Sequence, residues 1–214
     1  MGNLQANIIF SPIMNISNIQ IEEMPPIEAR LIFSSASAVS SASEQFDLSG
    51  RVGYAVGQST AEELKAQGFR VLITAPDGAR LLAAIAEEAP TSPLIHVSGN
   101  QMAVDMAAEL SKLGHLARSV CVYRQDPLPI SEELVESLHG DAAHVFPLFS
   151  PRAAKLLSRE LGSFQCRAPI HLVSMSKAVD ISWSGPEPAS RCLASHPDAE
   201  SMMEQIRACI DRLT

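Results

Sequence analysis

The chain has 214 residues, 46% of them hydrophobic, enough to close a core in one large domain or two small ones, so a disordered chain is excluded. Sixteen Lys and Arg against 24 Asp and Glu give a formal net charge of −8, the wrong balance for gripping phosphate backbones, and no nucleic-acid partner is expected. The longest apolar run, Leu81 to Ala86, is far shorter than the roughly 20 residues of a membrane span, and neither a signal peptide nor a myristoylation motif opens the chain; a cytoplasmic protein without membrane contact is expected.

In chain order, Gly2 to Phe10 reads as a strand and Met24-Pro25-Pro26 as a connection. Leu31 to Ser35 is a strand and turn leading into a helix over Ala36 to Gln45. Val52 to Val56 is a strand, Gly57 to Thr60 a turn, and Ala61 to Gln67 a helix stopped by Gly68. Pro76-Asp77 opens a helix over Ala79 to Glu87. Leu94 to Val97 with the turn Ser98-Gly99-Asn100 precedes a helix from about Gln101 to Leu113, closed by Gly114. A strand runs from Ser119 to Tyr123 and ends at Arg124, and Asp126-Pro127-Leu128-Pro129 reads as a connection. Later turns at Ser150-Pro151 and Ser174-Met175-Ser176, and a helix over Ala199 to Ile210 behind Pro197-Asp198, continue the pattern. An apolar run, a small-residue turn and a helix form the βα unit of an open parallel sheet.

The second half repeats the first. Phe33-Ser34-Ser35 recurs at Phe149-Ser150-Pro151 and Thr60 falls opposite Ser176, both 116 residues on, while Pro76-Asp77 recurs 121 residues on at Pro197-Asp198. Gly2 to Phe10 parallels Gly114 to Val122, yet Gly114 follows a complete strand and helix whereas only Met1 precedes Gly2. The fold class expected is therefore α/β, with two similar open parallel-sheet lobes of flavodoxin-like kind. One lobe comprises residues 1–22 and 132–214 and lacks its first strand-helix unit. The other, 27–126, is inserted, with connectors at about 23–26 and 127–131. Such a hinge places a ligand cleft between the lobes, outside the carboxyl ends of the strands.

Five turns converge there: Ser34-Ser35, Gln58-Ser59-Thr60, Ser98-Gly99-Asn100, Ser150-Pro151 and Ser174-Met175-Ser176. At a helix start, free N–H groups and the positive end of the dipole suit anions even in an acidic protein. Ser and Thr at such places also serve as plain N-caps, worth about 1 kcal/mol each. Tyr123 is the titratable group near the cleft able to pass a proton; local packing is its other reading. Arg124 and Arg152 are either ligand contacts or solvated. GxSxG, P-loop, GxGxxG and SxxK motifs are absent. Cys121, Cys166, Cys192 and Cys209 form no CxxC pair and the six histidines no HxH or HExxH, so neither metal nor cofactor is expected.

Several stretches resemble one family. Leu31-Ile32-Phe33-Ser34-Ser35-Ala36-Ser37-Ala38-Val39 is similar to its "hhFTSxxAV", and Val56-Gly57-Gln58-Ser59-Thr60-Ala61 through Gly68 to its "hGxxTAxxLxxxG". Val122-Tyr123-Arg124 matches "VYR", Phe149-Ser150-Pro151 the second "FSP" turn, and Ala194 to Met202 the closing "AxxPxxxxL". Over nearly its whole length the chain thus resembles the uroporphyrinogen-III synthases. The resemblance implies two lobes joined by a two-stranded connector and a cleft for hydroxymethylbilane, a linear tetrapyrrole polyacid. The family removes its terminal hydroxyl, inverts the last pyrrole through a spiro intermediate and closes the ring, without metal or organic cofactor. It further implies a monomeric lyase in which Tyr123 donates to the leaving hydroxyl and Thr60 contacts a carboxylate. Two departures stand out. The opening strand-helix unit with a "TRP"-like turn is absent, and Ser174-Met175-Ser176-Lys177 replaces a Gly-x-x-Thr turn. The alternatives are a two-lobed module that binds a small anion without turning it over, or an inactive truncated synthase.

Overall fold

In the computed structural model, which describes residues 6–102, 104–163 and 165–213, the apolar runs pair into parallel sheets and the small-residue turns start helices. The chain divides into two units, one continuous over Ile16–Asp126 and one assembled from residues up to Asn15 and from Pro127 onward.

The continuous unit is built from β1 (Met14–Asn18), β2 (Arg30–Phe33), α1 (Ala36–Ser43), β3 (Val52–Val56), α2 (Gln58–Ala66), β4 (Arg70–Ala75), α3 (Gly78–Glu88), β5 (Leu94–Gly99), α4 (Met106–Lys112) and β6 (Ala117–Pro127). The sheet order is β1-β6-β5-β2-β3-β4. The pairs β2/β3, β3/β4, β2/β5 and β5/β6 are all parallel. Paired β1 and β6 run across the two points where the chain passes from one unit to the other, forming the two-stranded connector. Alternation along β2 covers both faces of the sheet. Leu31 and Phe33 enter a core with Val39, Leu64, Val97 and Val122, while Ile32 enters another with Tyr54, Leu81, Ile85, Met106 and Leu110. The chain builds β2, β3 and β4 toward one edge and returns to add β5 on the other side of β2. The strand order therefore switches between β2 and β5, the place where open α/β sheets leave a crevice at their carboxyl edge.

The opposite edge is closed by charge. The Arg30 guanidinium donates to the Tyr54 hydroxyl at 2.7 Å and to Glu88, and Tyr54 in turn donates to Glu88 at 2.7 Å. Burial pushes the Tyr54 phenol up to about 12, so it stays protonated and structural.

The split unit contains α5 (Glu132–Leu138), β7 (His144–Leu148), α6 (Pro151–Gly162), β8 (Ile170–Ser174), α7 (Lys177–Asp180), β9 (Ser190–Leu193) and α8 (Ala199–Asp211). Its parallel sheet has the order β7-β8-β9, repeating β2-β3-β4 in both order and direction. Leu134, Leu138, Leu157, Leu161, Leu172 and Trp183 fill its main core. The other edge of β7 pairs with no strand among the described residues.

Four sequence expectations change here. The strand expected within Gly2 to Phe10 does not form over the described residues: 6–12 are irregular, and Ile8 and Phe10 are 83% and 86% exposed, although Ile9 and Ile13 pack on the core of the split unit. Its counterpart, β6, pairs with β5, and the split unit offers no equivalent strand as template among the described residues. The strand ending at Arg124 instead continues to Pro127, taking in part of the expected connection, because β1 pairs along it. The helix expected from Gln101 begins only at Met106, where the Asp105 carboxylate caps it. The repeat register also drifts, since the matching N-caps are Ser35 and Ser150 (115 apart), Gly57 and Ser176 (119 apart), and Asp77 and Asp198 (121 apart).

Candidate active site

The carboxyl edge of the continuous unit gathers polar groups at the switch between β2 and β5. Ser34, just past the end of β2, is exposed, and its Oγ lies 3.1 Å from His96 Nε2. Ser35 caps α1 by accepting the Ala38 N–H, and its Oγ is 3.2 Å from the Tyr123 hydroxyl. Tyr123 is only 4% exposed. It lies in the interior of β6 rather than at a strand end, but it stands opposite Gly99, where β5 stops. Gly99 is required by this approach: a Cβ there would come within 2.4 Å of the Tyr123 ring. Asn100 continues the rim, donating its N–H to the Tyr123 carbonyl and accepting the Gln125 N–H on Oδ1. Ser98 is buried and donates to the Met102 sulfur at 3.2 Å.

The second turn differs from its expectation. Gln58, Ser59 and Thr60 are not a turn preceding a helix but the first residues of α2. The cap is Gly57 at φ 81, with no side-chain cap bond and open space where its Cβ would be. The leading N–H groups of α2 are thus left to a ligand or solvent. Thr60 itself is buried, and Gln58 is bonded along the helix to Glu62 at 2.9 Å.

In the split unit Ser150 caps α6, with Pro151 in its first turn, and Ser176 caps α7 by accepting the Val179 N–H. Ser174, at the end of β8, is fully buried with its Oγ unpartnered among the described residues, and Met175 packs into the core. Ser150, Ser174 and Ser176 thus lie at the carboxyl ends of β7 and β8.

Two cavities lie away from these turns. One of about 440 Å³ is at the amino ends of β8 and β9, beside Arg167 and Pro188; the other, about 360 Å³, lies between Ile16 and Asn18 and the Ser37–Glu44 face of α1. No cluster of three or more metal-ligating side chains occurs among the described residues, and none of their helices is long and apolar enough to cross a membrane. His96 belongs to no motif in the sequence, where a lone histidine reads as ordinary. Its signal is a polar residue inside the apolar run Leu94-Ile95-His96-Val97, two positions before the strand's polar end.

Comparison with known proteins agrees with this architecture. The structure is similar to a uroporphyrinogen-III synthetase of Helicobacter pylori, with 16% identity, 92% of this chain and 91% of that one covered, and a TM-score of 0.67. It is also similar to a mutant uroporphyrinogen III synthase of the extremely thermophilic bacterium Thermus thermophilus, with 14% identity, coverage of 94% and 88%, and a TM-score of 0.54. At such identities the likeness is one of fold. No curated protein sequence matches. The family model described as uroporphyrinogen-III synthase HemD matches residues 2–204, nearly the whole chain, which therefore belongs to the uroporphyrinogen-III synthase family.

Proposed function

We propose that this chain is a cyclising hydro-lyase that converts hydroxymethylbilane to uroporphyrinogen III. The family match supports the activity, and the observation that ties it to particular atoms is the cluster of Ser34, Ser35 and Tyr123 at the β2/β5 switch. In this reading the Tyr123 hydroxyl protonates the departing hydroxyl, which leaves as water. The azafulvene that results is attacked by the substituted α-carbon of the last pyrrole, and the spiro intermediate then reopens and recloses with that ring inverted. Ser35 holds the phenol through the 3.2 Å contact, and its own oxygen is fixed by capping α1. Ser34, Asn100 and the open N-terminus of α2 hold carboxylates at the carboxyl edge of the continuous unit, and Ser150 and Ser176 are the contacts proposed at that of the split unit. Because the linear substrate also closes unaided to the unrotated isomer, the protein's task is mainly to fold the ligand so that the inverted closure wins. The chain works as a monomer in the cytoplasm, where its four free cysteines stay reduced.

Freshly prepared hydroxymethylbilane incubated with the protein, followed by separation of the oxidised porphyrin isomers, tests the reading. Type III product in excess of the protein supports it. Type I alone from folded protein overturns it, leaving the anion-binding module as the account.

A further inference from the structure

His96 stands in β5 between Ile32 of β2 and Ser119 of β6 and is fully buried. Packing does not call for a histidine here, since Ile32 beside it on β2 and Leu94 two residues before it on the same face are aliphatic, and an aliphatic side chain would meet no desolvation cost. Its Nε2 lies 3.1 Å from Ser34 Oγ, while Nδ1 has no hydrogen-bond partner among the described residues. Asp105 is the carboxylate that acts on the ring through its charge, but its Oδ1 accepts from the Ala108 N–H and the Ser119 hydroxyl instead. Burial holds the imidazole neutral, with its pKa lowered to about 4. A neutral imidazole carries one N–H, and a buried N–H without an acceptor is rarer than a bare acceptor. The proton therefore belongs on Nε2, and Nδ1 is the unpaired lone pair.

This tautomer fixes the direction of the Ser34 hydroxyl. The Oγ accepts from within the protein, so its own O–H turns outward from an exposed residue at the edge of the sheet. We propose that His96 is a positioning residue that makes the Ser34 hydroxyl a one-way donor, matching it to a ligand group that can only accept, namely a carboxylate. The proposal deepens the synthase reading and rests on it for the identity of that carboxylate, a side chain of the tetrapyrrole. Ser35 cannot take the role, because its oxygen already accepts from Ala38 and meets Tyr123.

The test combines tautomer and kinetics. Nitrogen-15 NMR of the imidazoles should show His96 protonated on Nε2, with a resonance that moves in Ser34→Ala; a proton on Nδ1, or no response to Ser34→Ala, overturns the proposal whether or not the protein turns over substrate. Steady-state kinetics on hydroxymethylbilane then compare His96→Leu, Ser34→Ala, the double variant and His96→Gln, whose amide can still donate near Nε2. Each single change should raise KM about tenfold with kcat little altered, the scale of one hydrogen bond to a charged group. The double variant should be no worse than Ser34→Ala alone, and His96→Gln should recover most of the loss. Additive losses, or a loss in kcat alone, overturn the proposal. If His96→Leu fails to fold, the spectrum, Ser34→Ala and His96→Gln still decide it. Wild-type protein yielding only type I isomer would sink the synthase reading while leaving the tautomer result to judge His96.

Discussion

The two tyrosines of this chain are nearly equally hidden yet differ in what surrounds their hydroxyls. Tyr54 is locked between Arg30 and Glu88 and held protonated, whereas the Tyr123 hydroxyl meets a serine hydroxyl and no charged group among the described residues. If Tyr123 is the proton donor, Tyr123→Phe should slow turnover by about 10- to 100-fold, the range of general acid catalysis, with a melting temperature close to wild type; initial rates and thermal melts check it. Inactivation with intact folding beyond that range would mean a phenol that does more than donate. His96 makes a second expectation. Its folded pKa of about 4 lies below the ordinary 6.5, so between those values the unfolded chain binds more protons than the native one. Stability from this residue is complete above pH 6.5 and falls as the pH drops toward 4, by up to about 3 kcal/mol. Denaturant titrations across pH 4 to 7 should give a shallower slope for His96→Gln than for wild type. At this scale the motif turns made Ser34, Ser35 and Tyr123 legible in the sequence. His96 was not, because a polar group acquires its meaning from a burial that only the assembled sheet creates.

Elements were legible in kind and less so in extent. Every helix expected from a turn in the middle of the chain exists, but its first residue is decided by a cap. Gly57 moves the start of α2 forward to Gln58, and Asp105 delays α4 to Met106. The reason lies in backbone conformation, since a residue at φ 81 ends one element and opens the next without needing a side chain. Gly57→Ala should therefore cost about 1–3 kcal/mol of stability, because φ 81 with ψ 147 is a conformation that glycine alone enters readily, there being open space for the added methyl, and chemical denaturation would measure it. If the uncapped N–H groups of α2 hold a substrate carboxylate, the same variant should also raise KM. Strand β6 shows the converse limit, for nothing local in Asp126-Pro127 signals that pairing with β1 will keep it extended.

For the whole molecule, the repeat predicted two similar α/β units, and the shared orders β2-β3-β4 and β7-β8-β9 show them. What the repeat could not convey is their inequality. The continuous unit surrounds β2 and β5 with partners on both sides, while the described sheet of the split unit has three strands and β7 is flanked once. Amide hydrogen exchange should follow that difference, with β2, β3 and β5 the slowest and β7 and β9 exchanging faster. Equal protection in both sheets would contradict it.

The interrupted connectivity also carries a consequence for biosynthesis. Everything that the continuous unit needs, Ile16 through Asp126, precedes β7, β8 and β9 in the chain, while the segment ending at Asn15 packs with partners that lie more than a hundred residues after it. The half that carries Tyr123 can thus mature on the nascent chain, whereas the split unit closes only after β7, β8 and β9 have followed it.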